Sequence, residues 1–453
     1  MSDPTKTDSG IPSPIAGCSE ERLLTSRRAV LGMSAGLFSW AFMPRFAEAA
    51  SASDDPRLLI VVLRGGMDGI NVAVPHGDKH YVSMRGNIAI PKASTIKLDS
   101  FFGLHPVMKN FGQFYADGDA AVVHATCTPL RIRSHFDGQD NVENGLPGQI
   151  VSNATGWLNR LLTALPAGAP IKSHGAIQVG DAPLILRGAA PVLGWSPTWF
   201  DAVEDPTLYM LRTLYRLRDK EMLDILERGL KANNLANKVG GGGDDDVSPV
   251  RKAFRGAGRL IAADDGPRIA VLSVGDWDTH ADQGAAEGYL ANVLAGLDAA
   301  IGDFKTAVGN AWGQTVMVLA TEFGRTVRVN GDNGTDHGVG TVALLAGGAV
   351  NGGKVFADWP GLAPNQLYED SDLKPTTDLR AVFKGVLKDH LGVPATLLNK
   401  TIFPESGNVA PLKNLVRGGG KSSSAIAALP LSATRAEPAI ARYRKQHGLA
   451  PQI

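Results

Sequence analysis

Carboxylates and imidazoles gather at four places in this sequence, each just after an apolar run. "RLLIVVLRGGMDGIN" delivers Asp68 behind two glycines, which allow close backbone approach. "AAVVHATC" leads into "TPLRIRSHFDGQD", which carries Arg131, Arg133, Ser134, His135 and Asp137. "RIAVLSVG" ends in "DWDTHADQ", with Asp276, Asp278 and His280. "TVMVLATEFG" supplies Glu322 and Arg325, and the glycine-rich loop after it supplies Asp336 and His337. Taken singly these residues have plain readings. Asp68 and Ser134 fit helix N-caps, Arg133 a surface charge, and His105 or His124 a hydrogen-bonded structural ring. Taken together they describe a cation site, with a purely hydrogen-bonded polar crevice as the alternative. Packing Asp68, Asp278, Glu322 and Asp336 side by side without a cation would force some of them to keep protons. A divalent cation removes that penalty. Mixed carboxylate–imidazole ligation suits Zn²⁺ or Mn²⁺, and the all-oxygen part suits Mg²⁺ or Ca²⁺. In "DTH", Asp278 and His280 fall on one side of an extended segment, so both can reach one ion. The expected ligands are Asp68, Asp278, His280, Glu322, Asp336 and His337.

Convergence of these groups depends on the elements that carry them. The apolar runs at 57–66, 120–127, 268–275, 315–324 and 341–348 are continuous rather than alternating, which indicates strands covered on both faces. Helical patterns at 207–230 and 288–308 lie between them. The expected fold is α/β: a doubly wound, mostly parallel sheet with helices on both faces. Sites in such folds lie at the carboxyl ends of the strands, where all four clusters fall. "NKVGGGGDDDVSP" (237–249) reads as a surface loop. The expected organisation is one α/β domain over 50–416 and a flexible segment over 417–453, which opens on "RGGGKSSS".

The chain has 453 residues, with 45 basic and 45 acidic side chains. That balance argues against a general nucleic-acid or anionic-membrane binder, which needs a basic excess. Near the N-terminus, Ser26-Arg27-Arg28 precedes an apolar run from Ala29 to Met43 and then Ala47-Glu48-Ala49. A basic n-region, a short h-region and an A-x-A cleavage site predict a twin-arginine (Tat) signal peptide over residues 1–49. An apolar run of about fifteen residues is shorter than the roughly 20 of a spanning helix, so no stable membrane anchor is expected. Cleavage leaves Cys127 as the only cysteine, which excludes an intrachain disulfide and a zinc–thiolate cluster. The expected location is the periplasm or the exterior, with the Tat translocase as a partner during export.

"LRGGMDGINVAVPHGD", "FGLHPVM", "RSHFDGQD", "WDTHADQ", "TEFGRTVRVNGDNGTDHG" and "TTDLRAVF" together resemble an uncharacterised Tat-exported bacterial family, over residues 56–415. That family is grouped by distant similarity with the alkaline phosphatase/sulfatase superfamily. The resemblance implies an alkaline-phosphatase-like fold in which Asp68 looks like the first metal ligand and Ser134 stands at the nucleophile position. Asp278 with His280 would be the first ligand pair, Glu322 would stand where an Asp-His pair is expected, and His337 would be the last histidine. Phe323 departs from the pattern, standing where that pair has its histidine. "DTH" is tighter than the superfamily spacing, and Ser134 runs directly into His135.

Two functions follow. The first is a secreted, metal-dependent hydrolase of phosphate or sulfate esters. The cation would polarise the ester and activate Ser134 or a water. Arg131 or Arg133 would clamp the anion, and His135 or His337 would protonate the leaving group. Its substrate would be an anionic ester or glycan-type molecule. The second is a non-catalytic periplasmic binding or assembly protein whose site is reduced to a structural metal or a glycan contact.

Overall fold

The computed structural model describes residues 55–147, 155–197 except 167, 168, 170, 172, 173 and 182, then 205–240 and 247–418. The expected signal peptide and residues 419–453 of the expected C-terminal segment lie outside the described residues.

The five apolar runs are strands: β1 (Arg57–Leu63), β2 (Ala120–Cys127), β5 (Ile269–Val274), β6 (Thr315–Thr321) and β7 (Thr341–Ala346). Four shorter strands join the same sheet: β3 (Ala176–Val179), β4 (Leu193–Trp195), β8 (Lys354–Phe356) and β9 (Thr377–Asp378). The order across the sheet is β8-β2-β7-β6-β1-β5-β3-β4, with β9 also paired to β2. β1 runs parallel to both neighbours, Ile60 opposite Val271 on one side and Val318 on the other.

Side chains of β1 alternate between two cores, which is why the strand is apolar throughout. Leu59, Val61 and Leu63 join one, together with Phe254, Leu297 and Phe304. These come from helices α6 (Pro249–Ala262) and α7 (Tyr289–Val308). Leu58 and Ile60 join the other, with Trp157 and Phe383 from α3 (Trp157–Ala164) and α8 (Leu379–Leu391). Helices on both faces of a mostly parallel sheet make this the expected α/β class. α1 (Lys109–Ala116) lies on the first face, where Phe111 joins that core.

Two details differ from the sequence reading. β7 is antiparallel to both β6 and β2. A buried antiparallel strand is as uniformly apolar as a parallel one, so its composition does not reveal its direction. The 207–230 helical pattern is two helices, α4 (Asp205–Arg218) and α5 (Lys220–Lys238). Asp219 interrupts the pattern in an extended conformation, and its carboxylate caps α5 by accepting from the Met222 N–H.

The reversal of β7 matters for the site. Its N-terminal end lies at the edge where the parallel strands end, so the loop before it brings His337 to the same crevice as the segments after β1, β5 and β6. The His337–Gly338 segment pairs antiparallel with Gly324–Arg325, His337 opposite Arg325, which fixes the height of the ring above the sheet.

Candidate functional site

Each strand end contributes by its own local logic. After β5 the chain stays extended, and its residues alternate. Trp277 and Thr279 are buried, while Asp278 and His280 face solvent on the other side. The Asp278 Oδ1 and His280 Nε2 atoms stand 3.0 Å apart, as the "DTH" spacing requires. After β2, helix α2 (His135–Asn144) begins at Ser134, which has N-cap geometry but makes no side-chain capping bond. The first helical residue, His135, points back over the sheet. Its Nδ1 donates to Glu322 Oε1 at 2.8 Å.

Glu322 is fully buried at the end of β6. Its Oε1 also accepts from the Gly65 N–H at 2.8 Å and from Gln139 Nε2 at 3.1 Å, and its Oε2 accepts from the Thr321 hydroxyl at 2.9 Å. Gly65 cannot be replaced without cost, because its φ of 128° is left-handed and a Cβ would stand 2.8 Å from the Asp278 backbone nitrogen. Burial pushes the Glu322 carboxyl up, but the bonds from His135, Gln139 and the backbone outweigh it and hold the carboxyl below its usual range. The same bond, donated to Glu322, raises the His135 imidazole above its ordinary value, against burial. Burial lowers the His337 ring, which also donates from Nδ1 to the Arg133 carbonyl at 2.8 Å. Burial opposes ionisation of Asp278, yet the bond from Arg325 keeps its carboxyl low. Arg325 is itself buried and tied to the carbonyls of Gly65, Gly66, Trp277 and Thr335.

His135, Asp278 and His337 meet at one point, with ligand-type atoms all within 4.8 Å of one another. His135 Nε2 lies 3.0 Å from His337 Nε2 and 3.3 Å from Asp278 Oδ2, and His337 Nε2 lies 3.2 Å from Asp278 Oδ1. The Nε2 of His280 approaches to 2.9 Å from that of His337. A carbonyl can only accept, so His337 Nδ1 carries a hydrogen, and so does His135 Nδ1 against its carboxylate. In the neutral rings both Nε2 atoms are then lone pairs, and they face each other. Two facing lone pairs repel unless a cation or a proton stands between them. Donors about 2.0–2.1 Å from a tetrahedral Zn²⁺ stand about 3.3 Å from one another, close to the separations found. The residues fit a divalent cation.

Other expected ligands stand elsewhere. Asp68 is not in this cluster: it is fully buried, paired with Arg85 Nη2, and accepts from Gln283 Nε2 at 2.6 Å. Arg85, equally buried, donates on to the Thr326 and Val327 carbonyls. A guanidinium therefore supplies the positive charge that the sequence reading gave to a metal. Glu322 stands behind His135, on its Nδ1, and Asp336 is at the rim with Oδ1 3.3 Å from His280 Nδ1. The Arg133 guanidinium is held by Asp372 at 2.6 Å and Glu369 at 2.8 Å, which leaves its carbonyl, not its charge, to the site. Arg131 lies over the Tyr368 ring. Phe323 is buried with its ring centroid 4.8 Å from that of His135 and 4.9 Å from that of His337, a wall against which both rings rest. Sequence reasoning missed Gln139 and gave Arg325 no role. Gln139 was findable, four residues after His135 on one helix face; the contact between Arg325 and Asp278 spans 47 positions and has no local signal.

Residues 55–402 match the family described as "Protein of unknown function (DUF1501)". No curated protein matches. Among solved structures, the crystal structure of Ps i-CgsB is 14% identical with a TM-score of 0.35, covering 79% of this chain and 77% of that one. The lipoteichoic acid synthase LtaP from Listeria monocytogenes is 8% identical, at a TM-score of 0.33 and coverage of 78% and 76%. The phosphonate monoester hydrolase of Agrobacterium radiobacter is 10% identical, at a TM-score of 0.30 and coverage of 75% and 74%.

Proposed function

The chain belongs to the DUF1501 family, and from that premise we propose that it is an exported, metal-dependent hydrolase of phosphate or sulfate esters on an alkaline-phosphatase-like fold. One observation carries the reading: two imidazoles with their Nδ1 hydrogens committed turn their Nε2 lone pairs toward each other and toward the Asp278 carboxylate. His135, Asp278 and His337 would hold one divalent cation, Zn²⁺ or Mn²⁺ by donor type. When bound, such an ion polarises an ester oxygen and neutralises the charge of the anion. Glu322 fixes the His135 tautomer and plane, as second-layer carboxylates do for metal-binding histidines. Arg325 keeps Asp278 ionised and aimed. Ser134, whose hydroxyl makes no capping bond, is the attacking oxygen. His280, 46% exposed, with Asp278 beside Nε2 and Asp336 beside Nδ1, passes the proton to the leaving group. Export follows the Tat route, with removal of residues 1–49.

A second reading has its own observation. Arg133 is occupied by Asp372 and Glu369, and His280 Nε2 is near enough to act as a fourth donor. Four protein donors close a site and make the cation structural, in a binding or assembly protein.

The purified chain, loaded with Zn²⁺ or Mn²⁺ and screened on aryl phosphates, phosphodiesters and aryl sulfates, separates the two. The hydrolase reading expects one ion per chain and a turnover that Ser134→Ala reduces by several orders of magnitude without loss of metal. It also expects His280→Ala to keep the ion and lose rate. No turnover on any of these esters, together with loss of the ion in His280→Ala, establishes the structural reading.

A further inference from the structure

The α4–α5 hairpin carries a surface that the proposed chemistry does not use. No residue of α4 with a described side chain is buried. Tyr209 is 74% exposed, Met210 63%, Leu214 51% and Leu217 76%. Single exposed apolar residues are ordinary, but a contiguous group of this size marks an interaction surface.

The pattern around α4 is ordered. At about 100° per residue, Tyr209, Thr213, Leu217, Met210 and Leu214 follow one another across an arc of about 140°. Arg216 borders one edge of that arc, about 20° away, and Arg218 the other, about 40° away. The opposite side, Leu208, Leu211 and Tyr215, is half-buried. It gives α4 its packing along α5, which in turn packs against β4. The outer arc therefore owes nothing to the fold.

From Pro206 to Arg218 the helix has three arginines and no acidic residue. Asp205 opens α4, and the hairpin's other acidic groups are on Asp219 and α5. Of those on α5, Asp224 pairs with Arg228, and Glu227 with Arg212. The chain as a whole has no basic excess, but this arc is bordered on both sides by arginines and suits an interface that is apolar within and negatively charged at its boundary. A bilayer with anionic headgroups has that profile, with side chains inserted to the headgroup–acyl boundary and arginines reaching up to the phosphates. We propose that α4 docks this protein peripherally on an anionic lipid surface through Tyr209, Met210, Leu214 and Leu217, with Arg216 and Arg218 on the headgroups. No helix among the described residues is long and apolar enough to cross a membrane, and surface docking needs none.

The test is co-sedimentation of the purified full chain with vesicles of phosphatidylcholine, with or without phosphatidylglycerol. All variants keep residues 1–54, so any binding by the apolar stretch at 29–43 is common to them. The expected result is binding that requires phosphatidylglycerol and weakens with added salt. The pair Arg216→Gln and Arg218→Gln lowers partitioning about thirtyfold, at about 1 kcal/mol for each basic residue near an anionic surface. The pair Leu214→Ser and Leu217→Ser lowers it at least tenfold while leaving the melting temperature unchanged, since both side chains are exposed. Equal binding of wild type and both variants, or no binding at all, overturns the proposal. So does a dimer in sedimentation velocity that the leucine variant dissolves, which assigns the arc to a second copy.

Discussion

Replacing Glu322 by Gln tests whether the cluster is a cation site with an organised second layer. The glutamine fits. Its carbonyl oxygen can take the place of Oε1 and accept from Gly65, His135 and Gln139, while its amide donates to the Thr321 oxygen in place of the accepted bond at 2.9 Å. What is lost is the charge. A hydrogen bond to a charged group contributes about 1.5–3 kcal/mol and a neutral one about 0.5–1.5, so the bond that aims His135 weakens by roughly 1 kcal/mol. Second-layer changes of this kind cost about 10–100-fold in metal affinity. Isothermal titration of apo protein with Zn²⁺ or Mn²⁺ measures this directly. Thermal melting with excess metal then shows the matching loss of about 1.4–2.7 kcal/mol of ligand-linked stability. The variant also changes the acid response. A carboxyl held below its unfolded range contributes stability that is present above that range and lost as pH falls through the folded value. Glu322→Gln therefore melts with less acid sensitivity below about pH 4.5. Unchanged metal affinity in a correctly folded Glu322→Gln protein, or no metal binding by the wild type, refutes the reasoning.

Three other outcomes are expected. Asp68→Asn leaves metal stoichiometry at the wild-type value, whereas Arg85→Met, which strands a buried carboxylate, lowers unfolding stability by about 3–5 kcal/mol in denaturant titration. His124 is fully buried and donates from Nε2 to the Ala73 carbonyl; burial lowers it to about 4. The unfolded chain binds that proton more readily between pH 6.5 and 4, so stability falls as pH drops through this window, by about 2 kcal/mol at pH 5, and less in His124→Gln. Changing Arg27 and Arg28 together to Lys leaves the full-length precursor in the cytoplasm, read by fractionation and immunoblot; normal export of the pair removes the Tat assignment.

Much of the architecture is legible in the sequence, because the information is local. A strand buried on both faces must be apolar along its whole length, so β1, β2, β5, β6 and β7 announce themselves. The two-residue period of an extended chain put Asp278 and His280 on one side, and the structure keeps them there. What one sequence does not carry is which opposite charge reaches a buried group. Asp68 reads as a ligand until Arg85 is seen against it, and Arg133 reads as an anion clamp until Asp372 and Glu369, more than 230 positions later, are seen to hold it. The direction of β7 is equally silent, since burial and not direction sets its composition, yet it is what delivers His337 to the crevice. The tautomers of His135 and His337 depend on a carboxylate 187 positions away and a carbonyl 204 positions away. Residue type and spacing nominated the chemistry; long-range pairing of charges and hydrogen bonds decided which nominees meet.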